Sequence, residues 1–318
     1  MLTLLANAKI NLYLEIIGDR PDGFHELVMV MQSVTLCDRI TLRPLSGPTI
    51  QLNCNHPQVP TDHTNLAYKA AALLQKTFPN QTNRQGGVEI TIDKKIPVGA
   101  GLAGGSANAA ATLFGLDVLW NLGLTRMELQ ELGAQLGSDV PFCLAGGCAI
   151  ATGRGEAIDP IPNTPKLSVV LAKYTSLSVS TPWAYRAYRQ QFGDSHLPLS
   201  DMASLSERQS RVHSSEMIKA ISTPNLAAIS HHLHNDLEKV VLPAHPKVAQ
   251  LKGAMASAAD GQGGLGTLMS GSGPTVFTLS ETPEQAQAIL QRVRERIRDQ
   301  DLQLHIAQFA AQGICLKS

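Results

Sequence analysis

A chain of 318 residues is long enough for two domains or one large one, and its 43% apolar content suits a globular core. Lys+Arg and Asp+Glu balance at 26 each, which removes any overall pull toward nucleic acid or an anionic membrane surface. Five scattered cysteines, Cys37, Cys54, Cys143, Cys148 and Cys315, form no C-x-x-C pair, and no apolar run reaches the ~18–20 residues of a spanning helix, so a reduced cytoplasmic protein is expected.

The start, "MLTLLANAKINLYLEI", has no basic region before its apolar residues and no cleavage site, so no signal peptide is expected. It reads as a strand from Leu2 to Ile17, followed by a loop with Pro21 and Gly23 and a second long strand over Leu27–Leu45. Capping candidates before an apolar 3.6-period predict a helix over Asn65–Phe78, and "GVEITID" predicts a strand. A small-residue buried helix is expected over Ser106–Trp120, then a helix capped by Thr125. The texture changes near Gly155, between two strand-like runs, which is the best domain boundary. Beyond it come a buried strand "LSVVLAKY" and a helix "TPWAYRAYRQQF" entered through Thr181-Pro182. A serine-rich stretch over 193–215 reads as a surface insertion. The remainder alternates: a helix near Lys247–Ala258, strands near Gly266–Met269 and Thr275–Leu279, a helix over Pro283–Arg298 and a strand around Leu304–Phe309.

The most informative stretch is "IPVGAGLAGGSANAA", Ile96 to Ala110. Glycines let backbone N–H groups approach phosphate oxygens, and a helix beginning directly afterwards aims its free N–H groups at the same anion. Gly99, Gly101 and Gly104 satisfy the dinucleotide spacing G-x-G-x-x-G. That reading needs a strand running into the glycines and an acid about 20 residues on. Here Pro97 interrupts, about 90 residues precede, and Asp117 at the required offset lies inside the expected helix. No Gly-Lys-Ser/Thr follows, which removes the P-loop reading. Tight packing alone does not require so many glycines before a helix, with Lys94 and Lys95 just upstream.

Elsewhere the residues leave alternatives open. Asp139, in "GSDVPF", reads equally as a proton-accepting carboxylate or as the N-cap of a short helix after it. Lys9 interrupts an apolar strand, where a solvent-facing position is the ordinary reading. Asn11, two residues on, projects to the same face. The run "HHLHND" with His231, His232 and His234 reads as a solvated helix end, and no metal-ligating set is expected in the chain.

"PVGAGLAGGSANAA" resembles the phosphate loop P-x-x-x-G-L-(G/A)-(G/S)-S-x-x-A-A of the GHMP kinase superfamily. "AKINLYLEIIGDRPDGFHEL" is similar to the N-terminal signature of one branch, whose acceptor alcohol carries a cytidine diphosphate. "MSGSGPTVFTL" resembles the superfamily's glycine-rich C-terminal motif, and "LGSDVPF" stands in its expected middle position. The resemblance implies an α+β, two-domain GHMP kinase fold (1–155 and 156–318) with the active site in the interdomain cleft. It also implies ATP with Mg²⁺, and transfer to the 2-hydroxyl of a cytidine-diphosphate-linked methylerythritol in non-mevalonate isoprenoid synthesis.

By the same resemblance Asp139 is the base and Lys9 its partner, polarising the acceptor hydroxyl. Pro97, Val98, Gly99, Ala100, Gly101, Leu102, Ala103, Gly104, Gly105, Ser106 and Ala107 hold ATP, with Asn65 and Lys94 or Lys95 near the adenosine and Lys95 the choice. Asn11, Phe24, His25, Thr181, Tyr185, Gly271 and Gly273 bind the substrate, Phe24 and His25 reading the cytosine and Tyr185 stacking on it. There are two departures. Ala103 replaces the commonest glycine, a mild change if its φ is negative, and Ala107 stands where a second serine is frequent, leaving Ser106 as the loop hydroxyl for the metal. The sequence specifies no oligomeric state.

Overall fold

The computed structural model describes residues 1–162, 165–193 and 216–317. The serine-rich stretch therefore lies, from residue 194 on, outside the described residues.

The two long strands form one hairpin, β1 (Leu2–Asp19) against β2 (His25–Leu45), with the 20–24 turn at its tip. Around it an eight-stranded sheet is built from β3 (Ile50–Cys54), β4 (Gly87–Asp93), β5 (Cys148–Gly153), β6 (Ala157–Ile161), β8 (His234–Asn235) and β12 (Ile314–Leu316). Its main path runs β12-β1-β2-β4-β3. A second sheet has the order β11-β7-β10-β9, from β7 (Ser168–Tyr174), β9 (Gly264–Met269), β10 (Val276–Ser280) and β11 (Leu302–Gln308). Residues 155 and 156, at the expected boundary, lie in the turn between β5 and β6, which pair with each other in the first sheet. The far end of the chain returns to that sheet as β12, beside β1.

The hairpin ladder slips register at Asn7/Ala8, Asn11/Tyr13 and Ile16/Gly18. Such bulges re-aim side chains, and two of them flank the Lys9–Asn11 segment. Helix α1 (Leu66–Thr77) starts at Asn65, whose Oδ1 accepts from the Ala67 amide. α2 is Pro79–Gln85, and α3 (Gly104–Trp120) begins two residues earlier than its alanine run suggests. α3 is buried on nearly every face, as an apolar helix without a polar stripe must be. α4 (Arg126–Leu136) carries a full capping box from Thr125 and Glu128. α5 is Val140–Ala145. In the second half α6 (Thr181–Phe192) is capped by Ser180, one residue before the expected Thr181-Pro182 entry. Helices over Pro246–Ala259 and Pro283–Arg296 cover the second sheet. The elements without a sequence signal are short: β3, α2, β8, β12 and three helices of six or seven residues between Glu216 and Ala244. Too few residues span a period there for a pattern to declare itself.

The run 231–236 is a helix end only at His231 and His232; His234 and Asn235 form β8 beside β1. Asp236 next to them is buried, accepting from the Ile16 amide (2.8 Å), His234 Nε2 (3.1 Å) and Lys239 Nζ (2.7 Å). Burial acts to raise its pKa, but these partners outweigh it and hold the carboxyl at about 2. Unfolded, the group titrates near ~4, so its contribution is complete above that pH and vanishes as pH falls toward 2. Asp236→Asn is expected to cost about 2 kcal/mol at neutral pH and to flatten the loss of stability between about pH 4 and 2. Urea unfolding at a series of pH values checks both, and an unchanged acid limb refutes the assignment.

Candidate active site

The sequence places its phosphate-binding loop where two physical demands meet. Pro97 and the glycines cannot continue the β4 ladder, and the alanine run after them is a strong helix former. In the structure Gly99 (φ +60°), Gly101 (φ +71°) and Ala103 (φ +55°) all take left-handed backbone. The condition under which Ala103 would be a mild change, a negative φ, is therefore not met: it is the N-cap of α3, yet unlike the extended N-caps Asn65 and Thr125 it is left-handed. A residue with a Cβ pays ~1–2 kcal/mol for that conformation. No side chain caps α3, so its first-turn amides are left without a capping partner, and Gly104, Gly105 and Ser106 line the cavity with the helix dipole behind them.

That cavity, about 840 Å³, is walled by the loop on one side and by the hairpin tip and α6 on the other. Pro97–Gly101 and Ala103–Ser106 line it; Leu102 and Ala107 are buried beneath. The Leu102 carbonyl accepts from the Lys9 amide, tying the loop to β1. Gly101 packs against the other half of the chain: a Cβ there would stand 2.3 Å from the Ser270 carbonyl, and Ser270 Oγ donates to the Gly101 carbonyl. Gly271 and Ser272, from the turn between β9 and β10, complete that wall, while Gly273 lies behind it. Buried Asn235 holds this turn by donating to the Met269 and Gly271 carbonyls.

Lys9 and Asp139, 130 positions apart in sequence, meet on the floor of the cavity. Lys9 is 4% exposed; its ammonium donates to Asn11 Oδ1 (2.7 Å) and lies 3.6 Å from Asp139 Oδ2. Asp139 does occupy the N-cap of α5, yet its backbone is helical (φ −83°, ψ −12°) and its side chain caps nothing. Its carboxylate is left to Lys9 and to the cavity.

At the hairpin tip Phe24 is half exposed, with the Arg154 guanidinium 5.0 Å from its ring centroid. His25 packs edge-on against Tyr185, centroids 5.2 Å apart. Arg189 of α6 donates to Asp19 Oδ1, the Gly23 carbonyl and His25 Nδ1. A guanidinium only donates, so His25 Nδ1 accepts and Nε2 carries the proton to the Tyr185 carbonyl. The two ring nitrogens expected to read a base edge are thus engaged within the protein. Burial, with the charge of Asp139 adding to it, pushes the Tyr185 phenol well above its ordinary range. Thr181 Oγ1 and Ser272 Oγ are 2.8 Å apart across the cleft.

Asn65 lines the cavity, but its amide is occupied by the Ala67 amide and the Pro60 carbonyl. Of the two lysines upstream of the loop, Lys94 lines the cavity and Lys95 is exposed outside it. Burial pulls the Lys94 ammonium below its ordinary range against the opposing charge of Asp38. Arg154, Arg186 and Arg189 carried no sequence signal, and Ser272 stood inside the glycine-rich C-terminal motif without being singled out. Among the described residues the lining has five cationic side chains and one carboxylate, Asp139. That is an environment for a polyanion with a single proton acceptor in it.

Comparison with known proteins fixes the family. The GHMP kinases N terminal domain profile matches residues 65–147 and the GHMP kinases C terminal profile residues 217–299. The chain is 57% identical over 99% of its length to the 4-diphosphocytidyl-2-C-methyl-D-erythritol kinase of Nostoc punctiforme, covering 98% of it. It is 59% identical to the protein of that name from Gloeothece citriformis, over 98% of this chain and 97% of that one. The chain belongs to the 4-diphosphocytidyl-2-C-methyl-D-erythritol kinase family of GHMP kinases. A crystal structure of a 4-(cytidine 5'-diphospho)-2C-methyl-D-erythritol kinase superposes on this kinase with a TM-score of 0.73 at 31% identity, covering 97% of this chain and 99% of that one. A homoserine kinase from Cytophaga hutchinsonii shares the fold at 19% identity, TM-score 0.72, over 99% and 97% of the two chains. This kinase is therefore an ATP-dependent α+β enzyme. Among its described residues no helix is long and apolar enough to cross a membrane.

Proposed function

We propose that this kinase transfers the γ-phosphate of ATP to the 2-hydroxyl of 4-diphosphocytidyl-2-C-methyl-D-erythritol, a step of non-mevalonate isoprenoid synthesis in the cytoplasm. Residues 1–155 form the domain that carries the ATP loop, and the described part of the second domain, 156–318, supplies α6 and the β9–β10 turn to the cleft wall. The observation that carries this reading is the Lys9–Asp139 pair, uncommitted to capping, between the α3 amides and the Phe24–Tyr185 end of one cavity.

Phosphoryl transfer asks for positioned reactants and neutralised charge. The first-turn amides of α3 receive the phosphate oxygens, Gly101 and Gly271 closing around them. Asp139 Oδ2 takes the proton of the acceptor hydroxyl, and Lys9 Nζ faces the charge that develops on that oxygen. Phe24 and Tyr185 hold the base by stacking, worth ~1–3 kcal/mol. Arg154 and Arg186 face the acceptor's diphosphate.

With the Asp139 carboxylate taken up by the proton, the hard oxygen donor left for magnesium in the cavity lining is the Ser106 hydroxyl, beside the first turn of α3. Among the described residues no cluster of three His, Cys, Asp or Glu side chains forms a cage. Magnesium commonly sits on one or two protein oxygens plus phosphates, so the donor set fits. When bound, the ion neutralises phosphate charge.

ADP release from ATP is expected with the cytidylyl alcohol and not with homoserine or mevalonate. Absence of turnover with the cytidylyl compound refutes the substrate assignment.

A further inference from the structure

Beneath the phosphate loop lies a carboxylate that the reaction does not touch. Asp38, on β2, is fully buried. Its Oδ1 accepts from the backbone amides of Lys95 (2.7 Å) and Ile96 (2.8 Å), and its Oδ2 from Lys94 Nζ (2.6 Å). The Asn108 amide, with its nitrogen rather than its oxygen toward two acceptors, donates to Asp38 Oδ2 (2.8 Å) and to the Gly104 carbonyl (3.0 Å). Four donors fill the lone-pair sites a carboxylate offers. Lys94 and Ile96 lead into the loop, and Asn108 stands in the first turns of α3 just after it. One buried group therefore ties the loop at both ends.

We infer that Asp38 is a positioning residue for ATP: it sets where the amides of residues 104–106 point, without meeting the nucleotide. This rests on the reading of 97–107 as the ATP phosphate loop. Burying an ion pair seldom adds net stability, because desolvation offsets the attraction and an apolar replacement packs as well. What an apolar residue cannot do is fix the direction of two backbone amides and two side chains at once. The loop has a use for such fixing. Ala103 holds a left-handed conformation that its own chemistry disfavours, and strain of this kind persists only where the surroundings impose it. The tie also reaches the helix start directly: at Gly104 the space of a side chain is taken by Lys94 Nζ, 2.7 Å from an ideal Cβ, and by Ile96 Cγ2 at 3.0 Å. The Lys94 ammonium held by Asp38 thus packs directly against the first residue of α3.

Asp38→Asn separates the two halves of this arrangement. Its oxygen still serves the Lys95 and Ile96 amides, while its NH2 group opposes the Lys94 ammonium and the Asn108 amide, donor against donor. Calorimetry with a non-hydrolysable ATP analogue and magnesium, and separately with the cytidylyl alcohol, reads the result. The expected outcome is at least about tenfold weaker nucleotide binding, with acceptor affinity within about twofold, since a misplacement of ~1 Å is enough to cost that much. Steady-state kinetics should repeat the split as a raised KM for ATP. Asn108→Ala, which removes one donor and leaves Asp38 paired with Lys94, is expected to weaken the nucleotide about threefold and decides the matter should Asp38→Asn not fold. Unchanged nucleotide affinity in the folded variants, or an equal loss for both ligands, overturns the role of Asp38. Failure of the parent protein to bind the nucleotide refutes the loop reading itself, and the inference with it.

Discussion

Asp139→Asn is expected to fold as the parent does and to lose about 10²–10⁴ of kcat, the usual worth of a positioned general base. The substitution keeps size and shape. It disturbs no helix cap, because the Asp139 side chain makes no capping bond, and the α5 backbone is held by its own carbonyl accepting from the Cys143 amide. An asparagine beside Lys9 still offers an oxygen to the ammonium. It does not accept a proton from an alcohol. The KM values for both substrates should therefore change little, since the group acts on charge that exists only as the phosphoryl group moves. Circular dichroism and thermal unfolding establish the fold, and initial rates at saturating substrate give kcat. A variant with parental kcat removes Asp139 from the chemistry.

What the sequence discloses and what it conceals divide along contact range. The glycine loop, the Thr125 capping box and the β9–β10 turn are local, so their residue order nearly states their geometry. Lys9 and Asp38 look alike on period-2 grounds, each a charge in a long strand where solvent exposure is the ordinary expectation. Both are buried, because helices and the second half of the chain cover the sheet around them. The partners of Asp38 lie 56 to 70 positions downstream, and no pattern in "TLCDRITL" announces them. Arg189 clamps the hairpin tip from 164 positions beyond His25, so the loop it holds was legible and the clamp was not. Lys94 and Lys95 are adjacent residues of one type, and only the path of the strap decides which faces the cavity. Ala103 is concealed differently: an alanine ordinarily takes negative φ, so nothing in its type announces the left-handed backbone it has here.

Removal of the other half of the pair should be as costly in rate but different in character. Lys9→Met keeps an unbranched side chain of similar reach in a site that is 4% exposed, and removes only the charge and its donors. The Asn11 oxygen then loses its donor, which costs ~1–3 kcal/mol of stability, so a lowered Tm is part of the expected result. The kcat is expected to fall about 10²–10³-fold, the scale of one preorganised electrostatic contact to developing charge. If Lys9 and Asp139 act on one proton transfer, the double variant should be little slower than the slower single variant. Independent roles predict instead that the two losses multiply. The cycle thus separates a cooperating pair from two residues that happen to lie 3.6 Å apart. Multiplying losses would leave Asp139 as base and give Lys9 a contribution separate from that proton transfer.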